Sequence, residues 1–155
     1  MRNAIAMLPV AIVFGSFTQP AVAADPLPRF SRLQKNDVLV VLYHSQGCFG
    51  STSYEFTFRK DACVSVSVAS LRPERKELGQ LLLTSSELTG LDRLLDLYRK
   101  GQPGISTTTE SLSITLLQNG KAIRIEQLTD DSGFSLQTKG LATFPEIARR
   151  LQSKS

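Results

Sequence analysis

The sequence predicts an α+β fold: one domain with a mainly antiparallel sheet, made of two hairpins and a buried strand, and two helices packed on one face. Three patterns support this prediction. Residues 54–58 and 64–68 alternate apolar and polar side chains, Asn119-Gly120 separates two further alternating segments, and two capping boxes each precede apolar residues at helical spacing.

The chain begins with the layout of a secretory signal peptide. Arg2 gives a positive start, an apolar segment of about 14 residues follows, and Ala21-Val22-Ala23 supplies the small residues that a signal peptidase accepts. The apolar segment is shorter than the ~20 residues of a membrane-spanning helix. We therefore expect residues 1–23 to be removed, residues 24–36 to form an N-terminal leader, and residues 37–155 to form the domain. The mature chain is then periplasmic or secreted, soluble, and without a membrane anchor.

The chain has a small positive net charge, and its charged residues are scattered along the sequence. The sequence has 18 Lys and Arg against 14 Asp and Glu, and removing residues 1–23 takes away one base and no acid, which changes the net charge from +4 to +3. A nucleic-acid-binding surface needs clustered bases, usually with aromatic rings beside them. The closest basic runs, residues 72–76 and 149–150, are short and have few aromatic neighbours, so no nucleic-acid partner is expected.

The first elements are a strand, a loop and a hairpin. Residues 38–43 are a continuous aliphatic run ending in tyrosine, typical of a strand buried on both faces. Residues 44–53 are polar and contain two glycines, which predicts a loop. The hairpin that follows has a defined register, with one apolar face that pairs Phe58 with Val64, Phe56 with Val66, and Tyr54 with Val68.

A strand and a helix come next. After a charged connector at residues 71–78, residues 79–83 are apolar enough for a strand. Thr84 and Glu87 form a capping box that begins a helix, and Gly101 ends it. The buried side of this helix is predicted from apolar residues at helical spacing: Leu88, Leu91, Leu94, Leu95 and Tyr98.

The second hairpin follows from Asn119-Gly120, a pair that favours a two-residue turn with positive φ. That turn length pairs Leu116 with Ile123 and Ile114 with Ile125 on the apolar face.

The chain ends in a polar stretch and a helix. Residues 129–140 are polar, with a short edge strand expected at 134–138. Thr143 and Glu146 form the second capping box, and the last helix is expected to bury Ile147 and Leu151.

The candidate binding residues lie in the polar segment that follows the first strand. It contains the sole histidine and one of two cysteines, and loops on a rigid scaffold often carry binding function. A thiolate also needs a nearby base or positive field. We therefore select this segment for binding, without assigning a catalytic residue: His44, Cys48, Phe49, Ser51 and Tyr54.

Whether Cys48 and Cys63 form a disulfide stays an open question at the level of the sequence. Two cysteines in an oxidising compartment favour it. The hairpin register opposes it, because it places the two residues at opposite ends of one strand, roughly 17 Å apart over five residues, unless the loop folds back. One histidine and two cysteines give no zinc-type spacing, so neither a metal nor a cofactor is expected.

Part of the chain resembles an uncharacterised family of small exported bacterial domains. The resemblance rests on Gly-Cys-Phe-Gly at 47–50 and Tyr-Glu-Phe-Thr-Phe at 54–58, and it covers about residues 43–98. In that family Gly-Cys-Phe-Gly-x-Cys-Pro leads into a strand, a turn, a second strand and a later helix, and the family implies no activity. This sequence has Thr52-Ser53 in place of Cys-Pro, and so lacks the local thiol pair.

The function these observations predict is a non-enzymatic binding or interaction module whose partner is an envelope or extracellular protein or ligand. Two alternatives stay open. One is a small periplasmic enzyme that uses the Cys48 thiol or carboxylates not yet assigned. The other is an inhibitor of a cell-wall hydrolase, because Gly-Ser-Thr-Ser-Tyr at 50–54 is similar to the Ser-Gly-x-x-Tyr loop of periplasmic lysozyme inhibitors.

Overall fold

The computed structural model describes residues 28–48, 50–69, 76–101, 106–133 and 143–153. A turn of 3-10 helix (Phe30–Arg32) precedes six strands and two helices. In chain order these are β1 (Asp37–Gly47), β2 (Gly50–Arg59), β3 (Cys63–Val68), β4 (Lys76–Leu82), α1 (Ser85–Lys100), β5 (Thr108–Gln118), β6 (Lys121–Asp130) and α2 (Phe144–Gln152).

The six strands form one antiparallel sheet in the order β4-β3-β2-β1-β5-β6. The first four strands follow one another along the chain as a meander, and α1 then returns the chain to the other side of β1, where β5 and β6 complete the sheet. The buried residues of both helices join the same core as one face of the sheet. The predicted α+β fold with a mainly antiparallel sheet is confirmed.

The central strand β1 is buried on one face, so the prediction of burial on both faces is wrong. Leu39 and Val41 are fully buried, whereas Leu42 is 41% exposed and Val40 is half-buried. Both helices pack on the same side, which leaves alternate aliphatic side chains of β1 on the uncovered side. An unbroken aliphatic run does not distinguish these two environments.

The β2–β3 hairpin has the predicted register. Phe58 lies opposite Val64, and the next two aromatic residues of β2 lie opposite Val66 and Val68. The strand expected at residues 79–83 is present as β4, which begins earlier, at Lys76. Its pairing with β3 changes register between Val66 and Ser67 of β3.

The β5–β6 hairpin differs from the prediction by one residue. Asn119 and Gly120 form the turn, with φ of 51° and 77°, but a register shift between Leu116 and Leu117 moves the rest of β6 by one position. Ile114 therefore lies opposite Glu126. A shift of one residue turns every later side chain to the other face. The predicted core residues Ile123 and Ile125 are accordingly exposed by 51% and 65%.

The two helices begin where the capping boxes predict. The Thr84 hydroxyl accepts from the backbone N–H of Glu87, and the Glu87 carboxylate accepts from the backbone N–H of Thr84 at 2.6 Å. Gly101 follows the last residue of α1 with a positive φ of 57°. Thr143 caps α2 by accepting from Glu146. The predicted stripe of α1 and the predicted residues Ile147 and Leu151 of α2 contribute to the core.

The segment expected as a leader belongs to the packed domain from Pro28 onward. Phe30 and Leu33 are buried in the core. Asp92 of α1 holds the segment, because its carboxylate accepts from the backbone N–H of Phe30 at 2.7 Å and from the Ser31 hydroxyl at 2.5 Å. Arg29 adds an ion pair to Asp96 at 2.8 Å.

Several predictions fall outside the described residues: the signal peptide at 1–23, the edge strand at 134–138, and Phe49. Within the described ranges, no helix has the length and apolar composition needed to span a bilayer.

Candidate functional site

The predicted loop at residues 44–53 is a continuation of the β1–β2 hairpin. Pairing continues from His44 opposite Ser53 to Gly47 opposite Gly50, so Cys48 lies at the tip of this hairpin. β5 pairs with the same part of β1 on its other side. Hydrogen bonding from two neighbours thus extends a strand through residues of low strand propensity.

The predicted binding residues in the described part of the chain do not form one site. His44 and Ser51 lie on the sheet face opposite the helices, and the His44 ring Nδ1 is 2.7 Å from the Ser53 hydroxyl. Tyr54 lies on the helix side, where its hydroxyl accepts from Gln152 at 3.3 Å. Cys48 is exposed at the hairpin tip. Residues 50–54 belong to β2 and so lie in a strand instead of a loop.

The two thiols are free and far apart. Cys48 precedes β2 and Cys63 follows it, so the ten residues of that strand separate them by roughly 30 Å. A disulfide needs Cα atoms within about 7 Å, so the structure does not bring together the Cys48–Cys63 pair that the sequence left open. His44 is also four strand positions from Cys48, roughly 13 Å, too far to act as its base.

The face of the sheet opposite α1 and α2, called here the open face, carries the most prominent exposed surface of the described residues. Six apolar side chains on the neighbouring strands β1, β5 and β6 form a patch on it: Val38, Val40, Leu42, Leu117, Ile123 and Ile125. The exposed fractions reach 65% at Ile125. Contiguous apolar surface of this kind marks interaction sites in soluble proteins.

The rest of the open face is weakly charged. Its other side chains are mostly serine, threonine and glutamine, and the charged ones among the described residues are Glu55, Arg59 and Glu77. Aromatic side chains of the described strands point to the helix side, where they pack together. Among the described residues, the open face thus lacks the ring platform that stacks on sugars or bases and the clustered cations that bind phosphates.

A second group of polar residues is buried between β1, β5 and α1. The Glu110 carboxylate, 3% exposed, accepts from the hydroxyl of Tyr43 and from that of Tyr98 at 2.7 Å. Burial and the hydrogen bond to Glu110 raise the pKa of Tyr43 above its usual range, so its hydroxyl keeps the proton that it donates. Glu110 therefore joins the sheet to α1.

A cavity of about 200 Å³ adjoins this group at the N-terminal end of α2, between Leu94, Glu110, Phe144 and Arg149. Asp130 lies opposite Glu110 on β6 and is also buried, so these two carboxyl groups are neighbours. Asp130 accepts from the backbone N–H of Ser132 at 2.9 Å. Both carboxylates accept hydrogen bonds from other residues of the chain. We therefore interpret the two acids as structural. In the described ranges, no three His, Cys, Asp or Glu side chains converge as metal ligands would.

No family model matches this sequence, and no curated protein matches it.

The sequence pattern did not predict the open face as a candidate site, because a regular hairpin turn would place Ile123 and Ile125 in the core. One signal was present: Val38, Val40 and Leu42 alternate with core residues of β1, and helices on one side of the sheet leave one of the two sets uncovered.

Proposed function

We propose that this chain is an exported, non-enzymatic binding protein whose contact surface is the open face. The observation that carries the proposal is the exposure of Leu42, Ile123 and Ile125 on neighbouring strands of an uncovered sheet. Leaving such side chains in water forgoes about 25 cal/mol for each Å² of apolar area that a partner would bury.

The chemistry of this surface favours a protein partner. The open face has apolar and hydroxyl side chains and few charges, and charged residues are also depleted in the cores of protein interfaces. Such a face is suited to contact another sheet or an apolar helix. Export, expected from residues 1–23, places that partner in the envelope or outside the cell.

Site-specific photocrosslinking in an exporting host tests the proposal. A benzophenone amino acid at position 125 should give a discrete adduct, and the additional change Leu42→Asp should abolish it. The matched control places the same amino acid at position 93, an exposed position of α1 on the other side of the molecule. Equal labelling from positions 93 and 125, or labelling that Leu42→Asp leaves unchanged, would refute the open face as the contact surface.

A further inference from the structure

We propose that the occupant of the open face is a second copy of this chain, packed face to face about a two-fold axis. This inference rests on the proposed function, since it names the partner of the same surface. Three observations support it: the area of the face, the position of its charges, and the self-matching arrangement of its apolar residues.

The area of the open face suits a stable dimer. The strands have 6 to 11 residues, and with about 4.8 Å between strands and 3.3 Å per residue the face measures roughly 870 Å². A standard protein interface buries about 800 Å² on each partner. Twisted sheets that pack face to face align within about 30°, with their side chains interdigitating across roughly 10 Å.

The charges of β2 are self-complementary. Arg59 and Glu55 point to the open face and lie two residues to either side of Thr57. A two-fold axis that runs across the strands through Thr57 reverses the strand direction of the second copy. It therefore sets Arg59 of each copy against Glu55 of the other, and so forms two equivalent ion pairs.

The same axis matches four of the six apolar residues of the patch to one another, and it sets Leu117 against Ser113 of the second copy. The row of paired residues that contains Thr57 continues through Val40, Thr115 and Ile125. Side chains in this row meet their own counterparts, so Ile125 contacts Ile125 of the second copy. Val38 and Leu42, two residues to either side of the row, meet each other. An isologous contact requires this kind of self-complementarity.

Sedimentation velocity over a range of concentrations tests the inference through charge reversal. Glu55→Arg and Arg59→Glu should each raise the dimer dissociation constant about tenfold, because the symmetry turns both ion pairs into like-charge contacts. The double variant Glu55→Arg/Arg59→Glu should restore dimerisation, since each copy again offers opposite charges. A foreign partner would not be recovered by this double change. Far-UV circular dichroism verifies the folding of each variant.

Thiol crosslinking locates the axis. In a Cys48→Ser/Cys63→Ser background, Ile125→Cys should be linked to itself by a short bismaleimide, because the two positions are roughly 10 Å apart across the interface. Gln127→Cys is the matched control. Its two copies are roughly 16 Å apart, so it should link only when mixed with Ile123→Cys.

The outcomes separate this inference from the proposed function. A monomer at every concentration, or equal self-linking at positions 125 and 127, overturns the second copy as occupant. The photocrosslinking result at position 125 then decides the proposed function independently. An adduct with a different protein supports it, and the absence of a discrete adduct overturns both.

Discussion

Replacing Ile114 or Ile125 by alanine should have very different effects on stability, although a regular hairpin would bury both side chains. Ile114 is 0% exposed on the helix side of β5, whereas Ile125 is 65% exposed on the open face. The change removes three side-chain carbons. At about 0.8 kcal/mol for each buried methyl or methylene group, the lost hydrophobic transfer free energy at Ile114 is about 2.4 kcal/mol. The remaining cavity increases the loss of unfolding free energy to about 3.5 kcal/mol.

At Ile125 about a third of the side chain is covered, so the same reasoning gives a loss of about 0.8 kcal/mol and no cavity contribution. Urea unfolding followed by far-UV circular dichroism measures both values, because the chain has no tryptophan to serve as a fluorescent probe. The measurement uses a low, fixed protein concentration, since association would add to the apparent stability. A loss above 2 kcal/mol for Ile125→Ala, or below 1 kcal/mol for Ile114→Ala, would refute the shifted register.

Three further predictions follow from the contacts. Glu110→Ala should lower the free energy of unfolding by about 3 kcal/mol, because two buried tyrosine hydroxyls lose their acceptor; a loss below 1 kcal/mol in urea unfolding would contradict the bridging role. The hydrogen bond from Arg99 lowers the pKa of Glu126, so its contribution to stability is present above the unfolded value of about 4.3 and is lost as the pH falls through the folded pKa. Acid unfolding of Glu126→Gln should therefore show a weaker loss of stability below about pH 4.3 than the unaltered protein, and parallel curves would argue against it. Without reduction, the intact mass after iodoacetamide should increase by two alkyl groups, with Cys48 reacting before Cys63 because it is more exposed; a mass that changes only after reduction would reveal a disulfide.

The elements that local chemistry specifies were predictable. The β2–β3 register follows from alternating aromatic and valine residues, and both helix starts follow from a hydroxyl and an acid three residues apart, as at Thr84 and Glu87. The core face of α1 follows from helical spacing alone. In each case the determining residues lie close together in the chain, so their interactions are present whatever the rest of the fold does.

The candidate site was not predictable in the same way, because long-range contacts determine it. Glu126 lies on the helix side of β6 and forms an ion pair with Arg99 of α1 at 2.7 Å, which joins two elements that are distant in sequence. The same one-residue register shift that places Glu126 on the helix side turns Ile125 to the open face. Residues 44–47 are polar and would form a loop alone, but pairing to both β2 and β5 keeps them in a strand.

The sequence alone determined the α+β class, the β2–β3 hairpin and the two helices, because periodicity and capping act over a few residues. Only the tertiary structure decided which face of the sheet the helices cover, and with it the exposure of Val40, Leu42 and Ile125. The reason is physical: an aliphatic side chain on a strand is equally suited to either face, and its burial depends on which elements pack against that face.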